Sequence, residues 1–374
     1  MSVQISAKKQ FLLGIFLICI ILFVVEIGAK IWMNVVYTCE FQKSDAGKLI
    51  DENVSKDICK DICKDSVDIV TFWSRDHGLI NEPNQKFRTI NINSDGFRGS
   101  EINDKLNDTY RIIMVGGSTT FGGLSDEQTI PAHIQKILNK ESDVQVEVIN
   151  AGVNSAWSTT EHQLIKNKLI KYEPDLIIIY DGWNDINVPL SVQLQSMEDL
   201  ELYPNRETIK KIFKFFRSDI GQIDTPLVIY QIGKSFKSVW SIDSLNIDNQ
   251  INDVSKISSI WTERTKDICE LGDKNNFKVI ISIQPFLGTS DRELSKSEMQ
   301  LLESGQLSKI ANEYKVFENK LMELEPFCEK TLNLTNAFDG INKPIFYDEV
   351  HIADEGNKII AEKISRLVLK TIPE

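Results

Sequence analysis

From position 111 onward, five short apolar runs alternate with longer amphipathic segments, and no other feature limits the possible folds so sharply. The runs are residues 111–116, 144–149, 175–180, 278–283 and 330–334. The amphipathic segments are 127–140, 160–172, 252–275, 296–324 and roughly 354–370. In the last of these, Ile359, Ile360, Ile364, Leu367 and Val368 share one helical face, and Asp354 stands where a cap is expected. Short apolar runs bounded by turn residues read as buried strands. Their alternation with helices implies a parallel sheet covered on both faces. Ligands of such sheets bind beyond the carboxyl ends of the strands.

The N-terminus carries a different signal. Residues 11–25 contain no charge and no proline. As a helix they span about 22 Å, short of the ~30 Å hydrocarbon core. Extension to Met33 supplies the length and includes Glu26 and Lys30, an i, i+4 pair with the acid first. Lys8 and Lys9 precede the run, so the N-terminus is expected in the cytoplasm and the rest of the chain outside. No small-residue cleavage site follows, which favours a retained anchor over a cleaved signal peptide. Ile18 before Cys19 argues against lipidation there. The expected organisation is a tail at 1–10, a transmembrane anchor at 11–33, a stalk or linker at 34–75 and a main domain at 76–374. That domain is interrupted at about 186–251 by an insertion with a basic amphipathic piece, residues 210–217, and a later apolar run. The insertion reads as a lid, as helices on the core edge, or as a membrane contact.

A net charge of −12 argues against a nucleic-acid partner, which needs a basic stripe to displace counterions. Four histidines without paired ligand spacing argue against a catalytic metal, and no cofactor is implied. His133 and His162 read as capping or surface residues, and no partner for His77 is identifiable. Outside the anchor, the cysteines are Cys39, Cys59, Cys63, Cys269 and Cys328. An exported domain permits disulfides, although five is an odd number. Cys59 and Cys63 lie in a short duplication and read as partners of Cys39 or as free thiols.

Four groups fall at strand ends. Gly116-Gly117-Ser118-Thr119 follows the first strand, Asn150-Ala151-Gly152 the second and Gly182-Trp183-Asn184-Asp185 the third. Asp348-Glu349-Val350-His351 precedes the last helix. A serine beside a histidine that a carboxylate orients is the minimum set for acyl transfer. Ser118 is expected to attack a carbonyl, His351 to carry the proton and Asp348 to hold the imidazole. The Gly152 N–H, the Asn184 amide and the Ser118 N–H are the expected oxyanion donors. Gly117, Trp157, Trp183 and Gln284 are the expected substrate-lining residues. The first turn is neither a phosphate loop nor a Gly-x-Ser-x-Gly elbow, because no Lys follows and Thr120 stands at the last position.

In type and order these blocks resemble the SGNH (GDSL-like) hydrolases, over about residues 90–370. The segment 93–99 (NSDGFRG) is similar to the one preceding the nucleophile in membrane-anchored members. The resemblance implies a flavodoxin-like three-layer α/β/α sandwich and metal-free ester hydrolysis. The first block departs from the family pattern, with Gly117 where Asp is usual. The function so implied is a serine esterase acting on O-acyl esters, with acylated envelope glycans as a possible substrate and the membrane as a partner through the anchor. An O-acyltransferase would use the same acyl-enzyme with a sugar hydroxyl as acceptor. A non-catalytic scaffold or binding protein on this fold would leave Ser118 unreactive.

Overall fold

The structure, a computed structural model, describes residues 6–32, 44–48, 62, 65, 69–195, 225, 228, 253–304 and 307–373. The expectations for Cys39, Cys59 and Cys63, for most of the stalk and for most of the insertion lie outside the described residues. Two compact units are distinguished: Met1–Thr38 with Tyr203–Gln250, and Cys39–Leu202 with Ile251–Glu374.

The first unit contains the helix Ala7–Ile31, whose mean hydropathy reaches 2.9 over an 18-residue window. Its 25 residues measure about 37 Å, long and apolar enough to cross a membrane. Glu26 stands 3.8 Å from Lys30 and accepts from the Thr225 N–H and hydroxyl at 3.0 and 2.8 Å.

The second unit opens with two small antiparallel pairs. Strands β1 (Thr71–Ser74) and β2 (Gly78–Asn81) form one, and β3 (Gln85–Lys86) and β4 (Asn91–Ile92) the other. The boundary expected at residue 75 therefore falls inside a hairpin. His77 lies in its turn, with Nδ1 3.2 Å from Ser74 Oγ.

The main sheet has five parallel strands: β5 (Thr109–Gly116), β6 (Gln145–Asn150), β7 (Leu176–Asp181), β8 (Lys278–Ile283) and β9 (Lys330–Asn333). Each begins and ends within two residues of its expected run. Their spatial order is β6-β5-β7-β8-β9, the 2-1-3-4-5 arrangement of flavodoxin-like sheets. The central strands β5 and β7 are buried at every position, which explains their unbroken apolar runs. Edge strands β6 and β9 each expose residues.

Right-handed crossovers assign the helices to faces. Ile130–Glu141, which links β5 to β6, packs against the final helix Asp354–Val368. Ser158–Asn167, Val254–Asn275 and Leu307–Glu323 cover the other face. Of the segment expected to be helical over 296–324, the described residues form the helices Lys296–Ser304 and Leu307–Glu323. The one expected over 160–172 ends at Asn167 and continues as a 3-10 turn, Leu169–Tyr172, because Lys168 leaves helical geometry.

Asp354 is not the cap of the last helix; Ala353 is. Asp354 instead pairs with His133 Nε2 at 2.7 Å and Lys358 at 2.6 Å, tying the two helices of that face together. His133 and His162 are both buried, so neither is a surface residue. Cys269 and Cys328 form a disulfide that joins the Val254–Asn275 helix to the approach of β9.

Candidate active site

Strand order reverses beside β5, so the carboxyl ends of β5 and β7 face a crevice. The first two glycines after β5 are demanded by close approach. A Cβ on Gly116, whose φ is +157°, would lie 2.2 Å from Thr120 Oγ1 and 2.5 Å from the Tyr180 carbonyl oxygen. A Cβ on Gly117 would lie 2.2 Å from Asn184 Nδ2. This contact gives a local reason for the glycine before Ser118. Ser118 then opens a four-residue helix, Ser118–Phe121, and its N–H has no intrahelical acceptor.

The second block grips that short helix. Asn150 Nδ2 donates to the Thr120 and Phe121 carbonyls at 3.2 and 3.4 Å. Asn150 Oδ1 accepts the Gly152 N–H at 3.0 Å. This corrects the expectation for Gly152: its N–H is already engaged, and the glycine is required because a Cβ would meet Phe121 N at 2.2 Å. A turn follows, in which the Ala156 N–H donates to Val153 O at 3.0 Å. Ser155 holds φ +65° at its third position, as type II turns require. Sequence reading missed this residue, since only a glycine or asparagine would have signalled positive φ.

Asn184 Nδ2 donates to the Ala156 carbonyl at 2.6 Å, which brings the third block to this turn. Gly182 takes φ +119° against the Tyr314 hydroxyl. Beneath it, Asp181, Asp185 and Glu161 are buried. Burial pushes the carboxyl groups of Glu161 and Asp185 well above their ordinary range, and the neighbouring Asp181 adds to the shift. Asp185 accepts from the Ser158 hydroxyl at 2.5 Å, and Asp181 from the Gly182 N–H at 2.7 Å.

The fourth block completes the group. His351 Nε2 is 2.7 Å from Ser118 Oγ, and His351 Nδ1 is 2.7 Å from Asp348 Oδ2. Asp348 Oδ1 accepts the His351 and Val350 backbone N–H groups at 2.7 and 2.9 Å. Burial alone would raise the Asp348 carboxyl, but His351 and those N–H donors outweigh it and hold the group below its ordinary value.

The loop bearing this pair is closed by Tyr347 N–H to His351 O and Ala353 N–H to Ile345 O, both at 2.8 Å. Its entry is clamped by Glu298, which is fully buried with Arg292 at 2.5 Å. Glu298 also accepts the Ile345 and Phe346 N–H groups at 2.9 and 3.0 Å.

Ser118, His351, Asp348 and Asn154 line a cavity of about 210 Å³. Of the expected lining residues, Trp157 is buried and stacked on Trp73 at 6.3 Å, and Trp183 packs on Phe286 at 4.9 Å. Gln284 is buried and accepts from the Thr119 hydroxyl at 3.2 Å. None of these three lines the cavity, nor does Gly117; the Trp157 and Gln284 side chains are enclosed by protein packing. A larger cleft of about 370 Å³ lies between the Ile130–Glu141 and Asp354–Val368 helices and contains none of the four blocks. Among the described residues, no three His, Cys, Asp or Glu side chains are arranged to hold a metal ion.

The parallel sheet in the order β6-β5-β7-β8-β9, covered by helices on both faces, is a flavodoxin-like α/β/α fold. The chain is similar to an acetyl xylan esterase, with 15% identity and a TM-score of 0.41, over 69% of this chain and 99% of that one. It is similar to an acetyl-xylooligosaccharide esterase variant from Geobacillus Stearmophilus, with 12% identity and a TM-score of 0.41, over 69% and 93%. A GDSL-like lipase from Bacteroides thetaiotaomicron VPI-5482 aligns at 11% identity and a TM-score of 0.39, over 72% and 93%. No protein-family model matches the chain, and no curated protein does.

Proposed function

We propose that this chain is a membrane-anchored serine esterase of the SGNH type that cleaves O-acyl esters outside the cytoplasmic membrane, with O-acetylated envelope glycans as the substrate class. One observation carries the reading: Ser118, His351 and Asp348 form a continuous hydrogen-bonded chain, although 233 positions separate the serine from the histidine. Ser118 Oγ attacks the ester carbonyl while His351 Nε2 takes its proton. The imidazolium, held by Asp348, returns that proton to the departing alcohol. Water then attacks the acyl-enzyme by the same route in reverse. The negative charge on the tetrahedral oxygen requires fixed donors about 3 Å away. The Ser118 N–H, the Asn184 amide and the Ser155 N–H fill that role in this reading, and the engaged Gly152 N–H does not.

Export is supported by the apolar Ala7–Ile31 helix behind Lys8 and Lys9, and by the Cys269–Cys328 disulfide, a bond favoured in oxidising compartments. A fluorophosphonate probe should label Ser118 of the full-length protein in detergent, and the label should vanish in Ser118→Ala. Wild-type protein that neither takes the label nor hydrolyses any ester of a chain-length panel would refute the reading.

A further inference from the structure

The esterase reading names acetyl esters without saying what in the site selects a short acyl group, and the cavity beside Ser118 offers a selector. Besides its polar residues, the cavity is lined by Ile69, Ile90, Phe121 and Leu124. Ile69, Ile90 and Phe121 pack with Ile92 into an apolar cluster separate from the main core. Both Ile69 and Ile90 come from the segment that precedes the main sheet, so a part of the chain outside the four blocks walls the site.

That wall is firmly braced. The buried Arg98 donates through Nη1 to the Phe121 and Gly123 carbonyls at 2.9 and 3.3 Å, and also to that of Gly122. Its Nε bonds Asp126 at 2.9 Å, and the guanidinium lies 4.8 Å over the Phe121 ring. The Arg98 N–H donates to Asn150 O at 3.1 Å, which fastens the same segment to β6. The cavity is therefore defined by a fixed surface.

We infer that this preceding segment gauges acyl length: Ile69, Ile90 and Phe121 form the face on which the substrate's acyl tail lies, and they admit short saturated acyl groups, acetyl to butyryl. The inference rests on the esterase reading. An apolar cavity of about 150 Å³ takes benzene, so about 210 Å³ takes on the order of eight heavy atoms. The ester group itself occupies three of those positions. An apolar face suits a hydrocarbon tail, whereas the hydroxyls of a sugar leaving group would lose water there without gaining partners.

The test uses the full-length protein in detergent micelles and p-nitrophenyl esters from acetyl to decanoyl. Wild-type kcat/KM should rise about fourfold per accommodated methylene to a peak by butyryl and fall at least about tenfold by octanoyl, since forcing extra methylenes into a filled site typically costs about 1–3 kcal/mol. Ile90→Ala should move the peak to longer chains by about two carbons, and Ile69→Ala should shift it the same way. Ile90→Phe should lower butyryl turnover at least about tenfold relative to acetyl. Fluorophosphonate labelling of Ser118 in each variant reports an intact fold and nucleophile. An unchanged chain-length profile in labelled Ile90→Ala and Ile69→Ala would overturn the inference. So would variants that alter selectivity among acetates of different alcohols and leave the acyl profile alone. Wild-type protein with neither labelling nor hydrolysis removes the esterase reading itself, and this inference with it.

Discussion

The two halves of the candidate triad are positioned by different physics. On the Ser118 side, glycines let backbone and amide groups approach to distances that no Cβ tolerates. The forces there are steric and local, and the strand end feeds directly into the short helix. On the His351 side, a loop outside the sheet is held by a buried ion pair, with Glu298 collecting Arg292 and two loop N–H groups. Glycine scaffolds can be broken only by adding atoms. Charge clamps can be broken by removing one partner or by changing pH.

Four experiments bear on this contrast. The largest effect is expected from Ser118→Ala, which should lower ester turnover by at least about 10⁴-fold with little change in melting temperature. Turnover within tenfold of wild type would end the triad assignment. Next comes Glu298→Ala. An unpaired buried Arg292 should destabilise the fold by about 3–5 kcal/mol in denaturant titration, and turnover should fall as the loop loosens. If the variant melts normally, the clamp is not what holds His351.

Gly117→Ala should act on the opposite side and by the opposite means. The new methyl must push the Asn184 amide aside, and loss of one oxyanion donor typically lowers kcat by about 10²–10³. Its KM should move far less. A large fall in stability with kcat intact would show that Gly117 serves the fold alone.

The smallest effect is in pH-dependent stability, where two buried acids should behave with opposite sign. Burial would raise Glu298, but Arg292 and the surrounding N–H donors hold it below its ordinary value. Its contribution is thus present above the unfolded carboxylate value of about 4.3 and is lost as pH falls through the depressed one. Glu161 is raised by burial, so above pH of about 4.3 the unfolded chain releases a proton that the folded chain keeps, and stability declines as pH rises. Melting curves from pH 3 to 9 should show Glu298→Gln losing stability relative to wild type only above the acid range. Glu161→Gln should gain progressively towards alkaline pH. Parallel curves for both variants and wild type would reject both assignments.

Ser118, Asn184, Asp348 and His351 could be singled out as candidates in the chain because each lies in a short block beside a strand end or helix start. Strand periodicity marks such places without reference to anything distant. Gly152 reads as a donor, but Asn150 Oδ1 takes its N–H once β6 closes on the nucleophile helix. Gly117, Trp157, Trp183 and Gln284, all expected to line the substrate, do not line the cavity beside Ser118: Trp157 stacks on Trp73, Trp183 packs on Phe286 and Gln284 meets Thr119, partners far away in sequence. The Glu298 clamp and the Ile69–Ile90 wall left no mark, because a lone acid or an isoleucine means nothing until its neighbour is known.

The parallel sheet, the apolar N-terminal helix and the identity of the residues at the strand ends can all be read along the chain. Local period and residue type suffice for those. The pairing of Cys269 with Cys328, the capture of the Gly152 N–H by Asn150 and the extent of the cavity beside Ser118 emerge only on folding. Those depend on contacts between segments tens to hundreds of positions apart, where close packing chooses among partners that local sequence cannot rank.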